Sequence, residues 1–98
     1  MRNAKIAIVI LNWNGAKLLQ QFLPSIIEFS QGDSIEIIVA DNGSTDESIS
    51  VLRDKFPEVT ILDLKQNFGF ARGYNEALKQ IEADYFVILN SDVEVTEG

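Results

Sequence analysis

The chain contains neither cysteine nor histidine. Without thiols and imidazoles it can form no disulfide, no cysteine nucleophile and no Ser-His-Asp triad, and it lacks the nitrogen and sulfur ligands that zinc prefers. Acid–base chemistry therefore falls to carboxylates. A bound metal would take oxygen ligands, which favours magnesium, manganese or calcium.

Basic residues and long hydrophobic runs are also scarce. Eight Lys and Arg stand against 15 Asp and Glu, a formal net charge of -7, which disfavours non-specific binding of nucleic acid. The longest apolar run, Ile6 to Leu11, is too short to cross a bilayer, and no signal-peptide pattern precedes it, so we expect a cytoplasmic protein. The 98 residues, 46% hydrophobic, suit one globular domain.

Four short β-branched runs alternate with three segments of helical period. The predicted strands are Lys5 to Leu11, Ile35 to Ala40, Val59 to Leu64 and Tyr85 to Leu89. This order predicts right-handed crossovers and a mainly parallel sheet with helices on both faces. The fold class is therefore α/β, a three-layer α/β/α architecture of about four strands and three helices. The first and fourth strands are almost wholly apolar, which predicts burial on both faces.

Local signals give the predicted helices their limits. Pro24 is expected to kink or break the first helix. The second opens with Ser44-Thr45-Asp46-Glu47, which fits a capping box between Ser44 and Glu47, and it should end at Phe56. The third is predicted to carry Ala71, Tyr74, Leu78 and Ile81 on one face and to finish near Ala83.

Small polar or acidic residues follow all four predicted strands. The segments are Asn12-Trp13-Asn14-Gly15, Asp41-Asn42-Gly43-Ser44, Asn67-Phe68-Gly69 and Asn90-Ser91-Asp92. Turn and cap chemistry explains any one of them. In parallel α/β sheets, however, ligands bind beyond the carboxyl ends of the strands. Four such segments, with Trp13 and Phe68 as flat stacking surfaces, predict a binding site there.

The motifs of the common phosphate-binding folds are missing. Neither G-x-G-x-x-G nor GxxxxGK[ST] occurs, which weakens dinucleotide and P-loop interpretations. Asp41 alone suits either a ribose hydroxyl or a nucleobase imide. Asp92 belongs to a segment, Glu82 to Gly98, with five acids and no base. A divalent cation there could bridge a carboxylate to a diphosphate.

Taken in order, the four segments resemble family 2 glycosyltransferases over practically the whole chain. The stretch Asn67-Phe68-Gly69-Phe70-Ala71-Arg72-Gly73-Tyr74-Asn75 and the form Asn90-Ser91-Asp92 are similar to the rhamnosyltransferase-like branch. That branch implies a deoxythymidine diphosphate sugar rather than a uridine one. The resemblance implies a GT-A fold in which residues 1–98 form the amino-terminal, nucleotide-sugar-binding half and the acceptor-binding half is absent.

The resemblance also implies site residues. Asn12, Trp13 and Asn14 would lie against the pyrimidine, and Asp41 would accept a hydrogen bond from its N3–H. Asn90-Ser91-Asp92 falls on the family's D-x-D motif, with Asp92 as the ligand of Mn2+ or Mg2+. The other nucleotide-binding candidates are Asn67, Gly69, Arg72 and Asn90. Tyr74 stands where many members carry an arginine, and Arg72 is the candidate to replace it.

The implied activity is inverting transfer of a sugar from a UDP- or dTDP-sugar to a glycan or lipid-linked acceptor, in surface polysaccharide synthesis near a membrane. A catalytic base would deprotonate the acceptor hydroxyl. No residue here is a candidate for that base, so we expect the chain to be inactive alone. The implied strand order, 3-2-1-4, makes the apolar fourth strand an edge, which predicts a homodimer through that strand.

Two other classes stay open. A non-catalytic flavodoxin-like or receiver-like module would place Asp41 and Asp92 at strand ends, but a receiver needs an acidic pair where Asn12 and Asn14 stand. A nucleotidyltransferase shares a nucleotide-binding α/β core, but its first loop is expected to be glycine-rich and basic. Nucleoside diphosphates binding as well as triphosphates would favour the glycosyltransferase.

Overall fold

Four parallel strands form a single sheet in the computed structural model, which describes residues 5–29 and 34–90. The elements are β1 (Ile6–Asn12), α1 (Ala16–Phe29), β2 (Ile35–Asp41), α2 (Ser48–Lys55), β3 (Thr60–Asp63), α3 (Phe70–Leu78) and β4 (Tyr85–Asn90). The strand order is β3-β2-β1-β4. The predicted α/β class, strand order and element sequence are confirmed.

Helices cover both faces of β1 and β2, which is why these strands are apolar apart from Glu36 and the terminal Asn12 and Asp41. Side chains alternate between the two faces of a strand. The even-numbered Ile8 and Ile10 of β1 form a core with Leu19 and Leu23 of α1 and Leu52 of α2. The odd-numbered residues of β1 join a second core, whose buried members are Ala7, Val9, Leu11, Ile38, Ala40, Leu64, Tyr74 and Ala77.

Helix α1 continues through Pro24, so the prediction that this residue could break it is wrong. Proline has no N–H for the carbonyl four residues earlier, which costs the helix one hydrogen bond. On the same helix, Leu19 and Leu23 are fully buried against the sheet, while Pro24 is exposed. Burying a leucine contributes roughly 1.5–3 kcal/mol, so two of them outweigh the lost bond. No helix within residues 5–29 and 34–90 is long and apolar enough to span a membrane.

Helix α2 begins four residues later than the predicted cap. Its N-cap is Glu47, without a side-chain capping bond, and the predicted capping box is therefore wrong. The Ser44 hydroxyl instead donates to the Asp41 carboxylate, and Asp46 accepts from the Ser48 amide at 2.9 Å. A hydrogen bond to a charged carboxylate is stronger than one between two neutral groups. The Ser44 hydroxyl therefore turns toward Asp41 at the sheet edge and not toward the Glu47 amide. The predicted end at Phe56, the C-cap, is confirmed.

Helix α3 is shorter than predicted, but Tyr74, Leu78 and Ile81 of its predicted inner face do pack on the second core. It ends at Leu78, and the amides of Gln80 and Ile81 bond three residues back, to Ala77 and Leu78. The chain must turn there because the Asp84 amide pairs with the Lys5 carbonyl at the start of the sheet. Ala71 is exposed, contrary to the prediction. The residues facing the core are Gly73, Tyr74, Ala77 and Leu78, with Ile81 and Ala83 following from the connection.

The edge strand β4 is only partly covered. Tyr85, Phe86, Val87 and Ile88 are 39–63% exposed, and Leu89 alone of its apolar residues contacts the first core. Predicted burial of this strand on both faces is therefore wrong within the described residues. Composition reports how apolar a strand is, whereas coverage depends on neighbours that the strand's own sequence does not contain.

Candidate functional site

The strand ends meet in register at one edge of the sheet. Asn12 pairs with Asp41, Asp41 pairs with Asp63, and Leu11 pairs with Asn90. Because all four strands are parallel, their carboxyl ends lie side by side. The structure therefore brings together the first three predicted segments and the backbone of Asn90. For Asn90 only the backbone is described, and Asp92 lies outside the described residues.

Asp41 is the centre of a buried hydrogen-bond network. One carboxylate oxygen accepts from Asn12 Nδ2 at 3.0 Å and from the Ser44 hydroxyl at 2.7 Å, and the other accepts from the Ser44 amide at 2.9 Å. Asp41 is 1% exposed and Asn12 is fully buried. Because Asp41 is so deeply buried, an external N–H can reach its carboxylate only after neighbouring groups move.

Asn14 joins the first loop to the second. Its backbone is left-handed, with φ of 52°, a conformation that asparagine tolerates better than most residues. Its side-chain oxygen Oδ1 accepts from the backbone amides of Thr45 at 2.7 Å and Asp46 at 3.1 Å. Its backbone amide donates to the Ser44 hydroxyl at 2.8 Å. Between Asn12 and Asn14, Trp13 is 48% exposed. The two asparagines thus hold the loop, and the indole is exposed between them.

Asp46 ties this pair of loops to both neighbouring helices. It accepts from the first amide of α1, that of Ala16, at 3.2 Å, and from the amide and hydroxyl of Ser48 at the start of α2. Burial acts to raise the pKa of Asp46, but these hydrogen bonds outweigh burial, and the pKa lies below its usual value. The ionised form is therefore favoured in the folded protein.

Asn42 was not predicted as a site residue, yet it organises the third loop. It is 4% exposed, and its side chain bonds to Asn67, Phe68 and Gly69. The available signal was a polar residue directly after an apolar strand, where burial demands hydrogen-bond partners. Asn67 and Gly69 therefore contact the second loop. Gly69 also has φ of 81° at the N-cap of α3.

Arg72 extends from the first turn of α3 beside this loop. Its guanidinium lies 4.9 Å from the centre of the Phe68 ring, a cation–π distance. The Arg72 side chain is largely exposed, and its Nε is 4.0 Å from the Glu76 carboxylate. Such an exposed pair is weak, so the guanidinium is free to accept a stronger anionic partner.

Tyr74 connects α3 to the far side of the site. It is buried, and its hydroxyl donates to the carbonyl of Leu89, one residue before Asn90. The tyrosine therefore fixes the end of β4 against α3. Within the part of the chain that the structure describes, no three carboxylates converge on a point that could hold a metal ion.

A parallel sheet in the order β3-β2-β1-β4, with joined polar loops at its carboxyl edge, defines a domain of the GT-A glycosyltransferase type. Residues 7–98 match the sequence model of Glycosyl transferase family 2. The chain belongs to this family, and the resemblance noted in the sequence is confirmed.

Known relatives and structures agree with this assignment. The uncharacterized glycosyltransferase YfnE of Bacillus subtilis is 33% identical over 92 residues, which cover 91% of this chain and 23% of that protein. The mannosyltransferase PcManGT from Pyrobaculum calidifontis, solved with GDP-Man and Mn2+, superposes with a TM-score of 0.77 at 25% identity, over 94% of this chain and 28% of that one. Residues 1–349 of TarS from S. aureus, solved with UDP-GlcNAc, give a TM-score of 0.74 at 26% identity, over 90% of this chain and 26% of that one. The chain therefore spans about a quarter of the length of YfnE, of PcManGT and of the TarS fragment.

Proposed function

We propose that this chain is the donor-nucleotide portion of an inverting glycosyltransferase that uses a UDP- or dTDP-sugar. The observation that carries the proposal is the joining of three strand-end loops by Asp41, Asn14 and Asn42. A site held in this way is preorganised, so a ligand need not spend binding energy on ordering it. TarS, a structural neighbour, was solved with a UDP-sugar.

Each exposed group suits one part of a nucleoside diphosphate. In the proposal the indole of Trp13 stacks on the pyrimidine, and the guanidinium of Arg72, backed by the Phe68 ring, meets the diphosphate. The base N3–H donates to Asp41 after the Ser44 hydroxyl rotates away, so that the carboxylate exchanges one donor for another. The stretch Asn67 to Asn75 and the segment Asn90-Ser91-Asp92 resemble the rhamnosyltransferase-like branch, which favours dTDP over UDP.

We further propose that Asp92 binds a divalent cation, Mn2+ or Mg2+. The proposal is supported by the direction of β4, which leads the chain toward the same edge as Asn12 and Asp41, and by the Mn2+ in the PcManGT complex. When bound, such an ion would offset the negative charge of the departing diphosphate.

In the transfer itself, a base would take the proton of the acceptor hydroxyl while the hydroxyl oxygen bonds to the anomeric carbon of the donor sugar. The bond between that carbon and the diphosphate would break at the same time, and the nucleoside diphosphate would leave. No such base is assigned in this chain, and we propose that it belongs to a longer protein together with the acceptor site. The proposed acceptor is a glycan or a lipid-linked sugar of a surface polysaccharide, handled at the cytoplasmic side of a membrane.

A thermal-shift panel tests the donor site. The 98-residue chain is heated with UDP, dTDP, GDP or ATP, each with and without Mn2+. A ligand at about 100 times its dissociation constant stabilises the fold by roughly 2.7 kcal/mol, several degrees for this size. We expect UDP or dTDP to give the largest rise in Tm. Mn2+ should increase that rise, and the increase due to Mn2+ should be lost in Asp92→Ala. A larger shift with ATP would favour a nucleotidyltransferase, and no shift with any nucleotide would contradict the proposal.

We also propose that the chain self-associates through β4. Its four exposed apolar side chains lie on an edge strand whose outer backbone groups pair with no strand of the described sheet. Light scattering over a concentration series should show a dimer that Val87→Lys abolishes. The matched control is Thr60→Lys on β3, the opposite edge, which should leave the dimer intact. A monomer at every concentration would contradict the proposal.

A further inference from the structure

The side-chain amide of Asn42 makes three hydrogen bonds to one segment, residues 67–69. Its Oδ1 accepts from the Phe68 amide at 2.9 Å, and its Nδ2 donates to Asn67 Oδ1 and to the Gly69 carbonyl, both at 3.2 Å. A backbone donor on one side and a backbone carbonyl on the other leave a single orientation for the side chain. Aspartate, which has the same shape, could satisfy only the first of these contacts.

Asn42 also connects this segment to the first loop. Its backbone amide donates to the Asn12 carbonyl at 2.7 Å, and Asn12 in turn bonds to Asp41. The residue therefore lies where the three loops meet, with 4% of its surface exposed. A shift of its side chain would move the third loop relative to the first two.

Two glycines make room for this arrangement. A Cβ on Gly43 would lie 2.6 Å from the carbonyl carbon of Gln66, closer than real Cβ atoms come. A Cβ on Gly73 would lie 3.0 Å from Nδ2 of Asn42 and 3.1 Å from Leu11. The third loop and α3 therefore approach the Asn42 amide as closely as they do because these positions lack side chains.

Residues 67–69, which Asn42 holds, lead directly into the helix that carries the guanidinium of the candidate site. Asn67 Oδ1 accepts from the Gly69 amide at 2.7 Å, Gly69 is the N-cap of α3, and Arg72 lies in the first turn of that helix over the Phe68 ring. Phe68 is half-buried and contacts the second core. The Phe68–Arg72 pair is thus connected to the sheet edge through the Asn42 amide.

We propose that Asn42 is a positioning residue that sets the Phe68–Arg72 pair for the diphosphate of the donor. This inference rests on the proposed function. It assigns Asn42 a role at the diphosphate end of the ligand, while the nucleoside end is left to the loop of Trp13. Loss of the Asn42 amide should therefore weaken binding of a nucleoside diphosphate more than binding of the nucleoside alone.

The test compares these two ligands on the 98-residue chain by NMR titration of 15N-labelled protein. The probes are UDP with uridine and dTDP with thymidine. Asn42→Ala should lower affinity for the better diphosphate by about tenfold, the magnitude of one or two hydrogen bonds, and affinity for its nucleoside by less than twofold. Asn42→Asp should do the same, because a carboxylate oxygen would then face the Asn67 oxygen and the Gly69 carbonyl. In both variants the Arg72 Nε–H signal should shift as the guanidinium leaves the Phe68 ring current.

A stability control separates positioning from general weakening. Val51→Ala on α2 trims a half-buried residue of the first core, away from residues 67–69, and should keep both affinities. Where Asn42→Ala does not fold, the isosteric Asn42→Asp carries the comparison. Equal losses for nucleoside and diphosphate, or no loss, would overturn the inference while leaving the proposed function intact. Wild-type protein that binds no nucleoside diphosphate would overturn the proposed function and the inference together.

Discussion

Removing the Asp41 carboxylate is expected to destabilise the fold as a whole. Asp41→Ala eliminates an acceptor that serves three donors, from Asn12 and from the hydroxyl and amide of Ser44, at 2.7–3.0 Å. Asp41 and Asn12 are buried, so water does not easily replace the lost partner. Asp41 therefore acts as an internal anchor of the first two loops, whatever else it binds.

The magnitude follows from the bonds. A hydrogen bond to a charged group contributes about 1.5–3 kcal/mol, and the contributions are not additive. Asn12 Nδ2 already lies 3.3 Å from the Ser44 hydroxyl, so these two groups can pair with each other after the change. Counting two bonds as lost gives a destabilisation of roughly 3–6 kcal/mol. A domain of this size has a total stability of about 5–15 kcal/mol, and each kcal/mol lost lowers Tm by about 4–8 °C, so Tm should fall by at least roughly 12 °C.

Urea unfolding followed by circular dichroism measures the change. Asp63→Ala is the matched control, because Asp63 pairs with Asp41 in the sheet register but is exposed and accepts one local bond, from the Lys65 amide. It should cost less than about 1 kcal/mol. Asp41→Ala within 1 kcal/mol of Asp63→Ala would refute the anchor role. Asp41→Asn, which keeps the shape, should cost about 1–2 kcal/mol, and loss of nucleotide binding beyond that would point to a direct contact with the base.

Two further predictions concern the same loops. Because the pKa of Asp46 is lower in the folded protein than its ordinary 3.8, its ionised form contributes stability above that pH, and the contribution is lost as the pH falls through the folded value. The difference in unfolding free energy between wild type and Asp46→Asn should therefore shrink between pH 6 and pH 3, and an equal difference at both would contradict this. Gly43→Ala should cost about 3 kcal/mol in urea unfolding, from a φ of 78° and the contact with Gln66. Gly69→Ala has the same strain with open space around it and should cost about 1 kcal/mol, so equal costs would refute the steric part.

Most of the architecture could be read from the sequence because its signals are local. Four β-branched runs and three helical periods place the strands to within a residue or two of their observed limits. The order of elements, with right-handed crossovers, leads to parallel strands whose ends share one edge. The four polar segments therefore indicated a site without knowledge of any contact.

Partner choice within the site could not be read in this way. Ser44 has a local alternative, the Glu47 amide, which the capping pattern predicts, yet it bonds to Asp41 and to Asn14, 30 residues away. Asn42, which looks like an ordinary turn residue, bonds to a segment 25–27 residues ahead. Leaving a buried polar group without a hydrogen bond costs free energy, so the buried groups are the ones that find partners. Only the folded chain determines which groups are buried.

The same division holds for β4 and α3. Their apolar residues are evident in the sequence, but exposure depends on which elements lie beside them, and the sheet edge leaves Tyr85–Ile88 uncovered while the turn at Lys79 shortens α3. The sequence by itself determined the family, the order of elements and the edge on which the site lies, because periodicity and strand-end chemistry are properties of short segments. The tertiary structure alone decided which polar side chains hold the loops and which remain accessible to a ligand, because burial and hydrogen-bond pairing join residues far apart in the chain.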